Sequence, residues 1–232
     1  IFHLAAKARV QPSIEDPVGF NKANVDATLA ALEFCRNLEI RRFIYSASSS
    51  AYGDASAFPT PEDHPTNPQS PYGLQKLIGE EYCKVYSKCY GMDTVSLRYF
   101  NVYGDRFASD GDYALVLAIF LKQKMYKKAL TITGDGTQKR DFTFVGDVVN
   151  ANILAMESYT KFNGDVINIG NGDNVSINEV ADLIGGEKKY IEARREPKET
   201  LADRSKAKEL LGWEPSMTLQ QWIPKYLKQE GL

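Results

Sequence analysis

The 232-residue sequence is short of the residues that most often carry metal or disulfide chemistry. Its two histidines, His3 and His64, stand far apart without ligand spacing, so no zinc site is expected. The three cysteines, Cys35, Cys83 and Cys89, are odd in number and show no C-x-x-C spacing. They argue against a disulfide framework and fit a reducing compartment, the cytoplasm. Excess charge is missing too, since 28 Lys and Arg against 30 Asp and Glu leave a formal charge of −2. That balance gives no electrostatic reason to expect nucleic acid or an anionic membrane as a partner. No apolar run approaches the ~20 residues of a membrane span. The first residues carry neither a basic stretch nor a small-residue cleavage site, so no secretory leader is expected in them.

What remains is an ordinary globular composition, 43% hydrophobic and 25% charged, arranged as alternating strand-like and helix-like runs. The chain opens without Met on the apolar run Ile1-Phe2-His3-Leu4-Ala5-Ala6, which reads as a buried strand, so it is expected to begin in mid-domain. A helix is predicted over 19–38, where Val25, Leu29, Leu32 and Cys35 recur at helical spacing. A buried parallel strand follows at 41–48, then a Pro-rich irregular loop to 69, of a length that usually carries function. Ser70 and Pro71 mark the start of a helix that runs to Tyr90 and stops at Gly91. Strands are predicted at 93–100, 130–133 and 166–169, with helices at 112–127 and 147–158 and a helical C-terminal region. This is a doubly wound parallel sheet with a smaller α/β cap.

Within the helix after Ser70 stands S-P-Y-G-L-Q-K, which places Tyr72 and Lys76 four residues apart on one face. A phenol titrates near pH 10, too high for a base at neutral pH, and a neighbouring ammonium favours the phenolate. On its own, Y-x-x-x-K also fits a plain amphipathic pair. About twenty residues upstream, S-A-S-S-S-A-Y-G closes a predicted strand, and ligands of open α/β sheets bind outside the carboxyl ends of strands.

Four motifs now stand in order: strand–S-S-S-A-Y-G, P-x-S-P-Y-G-x-x-K, L-R-Y-F-N-V-Y-G and G-D-G-x-x-x-R-D-F. Together they resemble the extended short-chain dehydrogenase/reductase family of nucleotide-sugar enzymes, over essentially the whole chain. The resemblance implies a Rossmann-type sheet whose N-terminal part is missing, with residues 1–104 on the NAD side and 105–232 mainly a substrate cap. Some segments of the second part would return to the sheet. It implies a catalytic triad of Ser48, Tyr72 and Lys76, with Ser49 as the alternative serine. NAD contacts are implied at Leu4, Ala5, Ala6, Lys7, Asn24, Ser46, Tyr72, Lys76 and Phe100. The family's G-x-x-G-x-x-G loop and ribose-reading acid are absent, so ~60–80 preceding residues are expected to supply them. Without them the chain is expected neither to retain NAD nor to turn over.

For a UDP-sugar, the resemblance implies contacts at Ser48, Ser50, Asn101, Leu115, Thr131, Thr133, Arg140, Glu196 and Thr200. Arg194 and Arg195 compete for one further role, and Thr200 would face the substituent at the sugar C2. Related dehydratases and decarboxylases carry a carboxylate at the serine cluster, and Ser48-Ser49-Ser50-Ala51 has none. Hydroxyls with a Tyr/Lys pair suit 4-epimerisation, in which Tyr72 takes the 4-hydroxyl proton and C4 is transiently oxidised. A reductase, an epimerase acting at another carbon, or a non-catalytic nucleotide-sugar-binding relative are the alternatives. A homodimer is the expected assembly.

Overall fold

A computed structural model describes residues 1–106, 115–193 and 197–232. Its main sheet has four parallel strands in the order β1-β2-β3-β8: β1 (Phe2–His3), β2 (Arg42–Ser48), β3 (Asp93–Tyr99) and β8 (Asp165–Ile169). Side chains alternate across this sheet, so each face needs its own cover. Phe43, Tyr45 and Ala47 meet α3 (Ala27–Asn37) and α4 (Pro71–Tyr90) through Leu32, Cys35 and Cys83. On the other face Ile44, Val95, Leu97 and Ile167 pack against α6 (Val145–Glu157) and α8 (Ser205–Leu211). Helices on both faces of a parallel sheet make it doubly wound, as the motifs implied.

Local chemistry explains where these elements start and stop. Ser70 accepts the Gly73 N–H at 3.1 Å, Pro71 takes the first helical position, and Gly91 ends α4 at φ 68°. Before α3, Asp16 caps α2 (Pro17–Asn21) by accepting the Gly19 N–H at 2.9 Å. Where one uninterrupted helix was expected, a π turn at Lys22–Asp26 joins α2 to α3. A short α1 (Val10–Glu15) precedes them. The opening run also differs from expectation. Only Phe2 and His3 form strand, and Phe2 and Leu4 are exposed, because β1 has a strand neighbour on one side only.

The second core belongs to the cap. Parallel strands β5 (Leu130–Thr133) and β10 (Lys188–Ile191) lie beside α5 (Val116–Met125), α7 (Ile177–Ile184) and α9 (Leu219–Glu230). Phe120, Leu121, Ile132, Val180 and Trp222 are buried among them. Two short pairings connect cap and sheet: β4 (Val102–Tyr103) with β7 (Thr143–Phe144), and β6 (Lys139–Arg140) with β9 (Val175–Ser176). Among the described residues no helix is long and apolar enough to cross a membrane.

Candidate active site

Strand β2 ends on Ser48, whose hydroxyl accepts the Ser50 N–H at 3.2 Å and the Ser50 hydroxyl at 2.9 Å. This caps the single 3₁₀ turn Ser49–Ala51 and fixes the serine cluster at the carboxyl edge of the sheet. The first turn of α4 presses onto it. A Cβ at Gly73 would stand 2.8 Å from the Ser50 carbonyl oxygen, so the residue after Tyr72 must be small. The Tyr72 amide, free at a helix start, donates to the Ser13 hydroxyl at 3.1 Å, and Ser13 donates to the Val10 carbonyl at 2.6 Å.

The Tyr72 ring is partly open to solvent, but its hydroxyl is crowded, and burial raises its pKa above the usual phenol value. The Ser48 hydroxyl and the positive charge of Arg9 pull in the opposite direction. Lys76 is 5% exposed and donates to the Ser46 carbonyl at 2.8 Å. Burial lowers its pKa to about 8, against the pull of the Glu80 carboxylate. One expectation therefore changes. Lys76 shares a face with Tyr72, but its long side chain reaches back to β2, and the cation acting on the phenol is Arg9.

On the cofactor side, Asn24 sits in the π turn, 1% exposed. Its amide accepts the Lys7 N–H at 2.8 Å and donates to the Lys7 carbonyl at 2.9 Å and to Gln75 at 3.0 Å. One side chain thus pins the backbone beyond β1 to α4, while Leu4, Ala5 and Ala6 stay exposed at the sheet's carboxyl edge. Lys7 pairs with Asp16 at 3.2 Å. Ser46 points to the opposite face, where its hydroxyl meets that of Tyr99 at 3.2 Å. Phe100 is buried between Tyr52 and Ala202.

On the substrate side, Ser48 pairs with Tyr99, so Asn101 follows at the same edge. Asn101 donates to the Asp141 carbonyl at 3.1 Å and to the Thr200 hydroxyl at 3.3 Å, and Thr200 also accepts the Asp141 N–H at 3.1 Å. The Asp141 carboxylate, fully buried, accepts the N–H groups of Asn171, Gly172 and Ala202 at 2.7, 3.1 and 3.0 Å. Burial raises its pKa to about 6 even so. Arg140 is buried on β6 with a hydrogen bond to the Lys139 carbonyl at 2.8 Å.

The remaining positions lie in the cap. The Thr131 hydroxyl accepts from Gln123 at 2.7 Å, the Thr133 carbonyl accepts from Gln138 at 3.0 Å, and Leu115 precedes α5. Arg194, Arg195 and Glu196 lie outside the described residues. The fold thus gathers Ser46, Ser48, Ser50, Tyr72 and Lys76 at one strand end and Asn101 with Thr200 beyond it. Arg9, Ser13, Gln75 and Asp141 complete these clusters, and no local pattern announces the first three. Only Asp141 had a signal, its place inside K-R-D-F. Among the described residues no three His, Cys, Asp or Glu side chains gather in a metal-holding cluster.

Known proteins match the sequence and the fold of this chain. The profile of the NAD dependent epimerase/dehydratase family matches residues 1–170. The chain belongs to this family. A UDP-glucose 4-epimerase of Mycolicibacterium smegmatis is 35% identical over 97% of the chain and 74% of its own length. Among solved structures, a UDP-glucose 4-epimerase of Thermotoga maritima with UDP-glucose superposes at a TM-score of 0.93 and 36% identity, covering 100% of this chain and 77% of that one. A UDP-N-acetylglucosamine 4-epimerase of Methanobrevibacter ruminantium, in complex with UDP-N-acetylmuramic acid, does so at 0.91 and 34%, over 98% and 76%.

The epimerase/dehydratase family is NAD-dependent, and the residues in hand fit the nicotinamide end of that cofactor. An exposed shelf of small and apolar residues, Leu4 to Ala6, leads to a backbone locked by Asn24 at the edge where Tyr72 and Lys76 stand. The doubly wound parallel sheet and the nucleotide-sugar epimerase/dehydratase family expected from the motifs are both in place.

Proposed function

We propose that the protein interconverts UDP-hexoses epimeric at C4, using bound NAD. The observation that carries this reading is the make-up of the site around Tyr72. It offers the hydroxyls of Ser48, Ser50 and Tyr72 with two nearby cations, Arg9 and Lys76, and no carboxylate acts on the phenol. Elimination of water needs an acid and a base on adjacent carbons, whereas reversible oxidation of one carbinol needs a single proton acceptor. The names of the relatives, all 4-epimerases, support the same choice.

Tyr72 takes the proton of the sugar 4-hydroxyl and later returns it. Ser48 orients that hydroxyl, and its own position is set by Ser50. Arg9 and Ser48 oppose the burial that holds the phenol protonated, without overcoming it. NAD, when bound, supplies the reversible removal of hydride from C4. Leu4 to Lys7, Asn24, Ser46, Lys76 and Phe100 are the residues assigned to hold it. Asn101 and Arg140 are assigned to the diphosphate, a guanidinium being the natural bidentate partner of its oxygens.

Residues 1–104 then form the cofactor side and 105–232 mainly the substrate side, in line with the two cores. A cytoplasmic homodimer accords with three unpaired thiols and with apolar side chains left exposed on α3 and its C-cap and on α4, namely Phe34, Leu38, Leu74 and Val85. Thr200, a small residue hydrogen-bonded to Asn101, is assigned to the C2 substituent, where its size suits an acetamido group.

The test uses protein expressed from its whole coding region and incubated with UDP-glucose or UDP-N-acetylglucosamine, each carrying deuterium at C4. Conversion of both, with deuterium kept at C4 and no net NADH, is expected. Accumulating NADH or a lost label would overturn the epimerase reading. Thr200→Tyr should remove the acetamido substrate selectively, since overfilling a pocket costs ~1–3 kcal/mol. Equal damage to both substrates would refute the role of Thr200 alone.

A further inference from the structure

Lys76 is a buried ammonium, and among the described residues its one hydrogen bond, to the Ser46 carbonyl, is a modest return for losing water. The side chain beneath it is Tyr45 of β2, 1% exposed, with the Lys76 nitrogen 5.1 Å from the centre of its ring. That distance is within the ~6 Å over which a ring face attracts a cation, and the attraction grows when both partners are desolvated. The backbone is shaped to permit this contact. Gly79 lies three residues after Lys76 on the same face of α4, and a Cβ there would overlap the Tyr45 hydroxyl and ring edge.

Nothing else about Tyr45 calls for a tyrosine. Its hydroxyl has no hydrogen-bond partner among the described residues. Thr28, whose hydroxyl lies close enough to act on the phenol, is engaged with the Asn24 carbonyl at 2.6 Å and with His3 at 2.9 Å. The ring, however, is held firmly. His3 of β1 stacks on it with centroids 5.9 Å apart and an angle of 23°. Burial and the charge of Lys76 both lower the His3 pKa, so this stack carries no second cation. The other titratable groups facing the Lys76–Tyr45 pair are Tyr72, Glu80 and Cys83, all on α4.

We propose that Tyr45 is a positioning residue for the epimerisation, its ring face carrying the Lys76 ammonium beneath the sugar site. The inference rests on Lys76 serving the reaction as set out above. It adds that Lys76 is held from below by an aromatic platform of Tyr45 and His3, and not from the side by Tyr72. A merely structural Tyr45 would fill volume, and any ring of equal size would then serve.

The experiment separates ring electronics from ring size. Lysine labelled at Cε is introduced into the full-length protein, and the Lys76 signal is assigned by its loss in Lys76→Arg. Its titration is then followed by NMR in wild type, in Tyr45→Phe, and in proteins with progressively fluorinated phenylalanine at position 45. Tyr45→Phe should titrate with wild type. Fluorination, which keeps the volume and drains the ring face, should lower the midpoint stepwise, by about one pH unit at four fluorines. The alkaline limb of kcat should move with it while KM holds. A midpoint indifferent to fluorination, or one that falls fully on loss of the hydroxyl alone, would overturn the proposal. Because the titration is read without turnover, failure of the epimerase assay leaves this result interpretable.

Discussion

Two buried cations lie within reach of one carboxylate, and they have opposite fates. Arg98 is 2% exposed and Lys76 is 5% exposed, so burial penalises both. Arg98 places two nitrogens on the Glu80 carboxylate at 2.6 and 2.9 Å and its guanidinium 4.5 Å from the Tyr52 ring centre. Burial alone would weaken its hold on the proton, but Glu80 more than reverses that. Lys76 has only a carbonyl and a ring face, and burial wins. Equal burial gives opposite outcomes because one charge is fully answered and the other is not. The answered charge ties α4 to β3. The unanswered one keeps the capacity to change protonation near neutral pH, as proton-moving sites require.

The largest expected effect separates the two cations by function. Lys76→Met and Tyr72→Phe should each lower turnover by ~10²–10⁴-fold with no fall in the urea midpoint, since one removes a buried charge that burial penalises and the other only a hydroxyl. If either variant unfolds more easily while retaining turnover, the division between working and structural cations is lost. Next in size, Glu80→Gln should cost about 3–5 kcal/mol in urea unfolding, because it strands Arg98 without a counter-charge. A cost below about 1 kcal/mol would mean that water or another group compensates Arg98.

The smallest effect sharpens the comparison through pH. Lys76 titrates near 8 when folded and near 10.5 when unfolded, so the unfolded chain binds the extra proton between those values. Stability should therefore rise with pH across that window, by about 1.4 kcal/mol per pH unit, relative to Lys76→Met measured alongside. Below about pH 8 the two curves should run parallel. Arg98 offers no such window, and parallel curves throughout would show that Lys76 is better compensated than its surroundings suggest.

Much of this was legible in the residues. Ser70, Pro71 and Gly91 announced both ends of α4, and the spacing of Tyr72 and Lys76 placed them on one face of it. Those signals are local, acting within one or two turns of chain. What escaped was set by contacts between distant segments. Arg9 acts on Tyr72 from 63 positions earlier in the chain, and no pattern around Arg9 hints at it. The π turn at Lys22–Asp26 disguised itself as continuous helix, because helical spacing of apolar residues survives one inserted residue. Lys76 turning away from Tyr72 follows from the Ser46 carbonyl and the Tyr45 ring, both on another element.

The clamp formed by Asp141 has a consequence for how this site can change over time. It grips peptide N–H groups at Asn171, Gly172 and Ala202, so it reads the course of the main chain and is blind to most side chains there. The segment bearing Thr200 is thereby anchored through its neighbours' backbone as well as through its own hydroxyl. A substitution that retunes the sugar pocket can be tried without dismantling the scaffold that presents it. On the roles proposed for Thr200 and Tyr72, such a site can drift among substrates one residue at a time, its selectivity rewritten at the rim while the proton chemistry on α4 stays untouched.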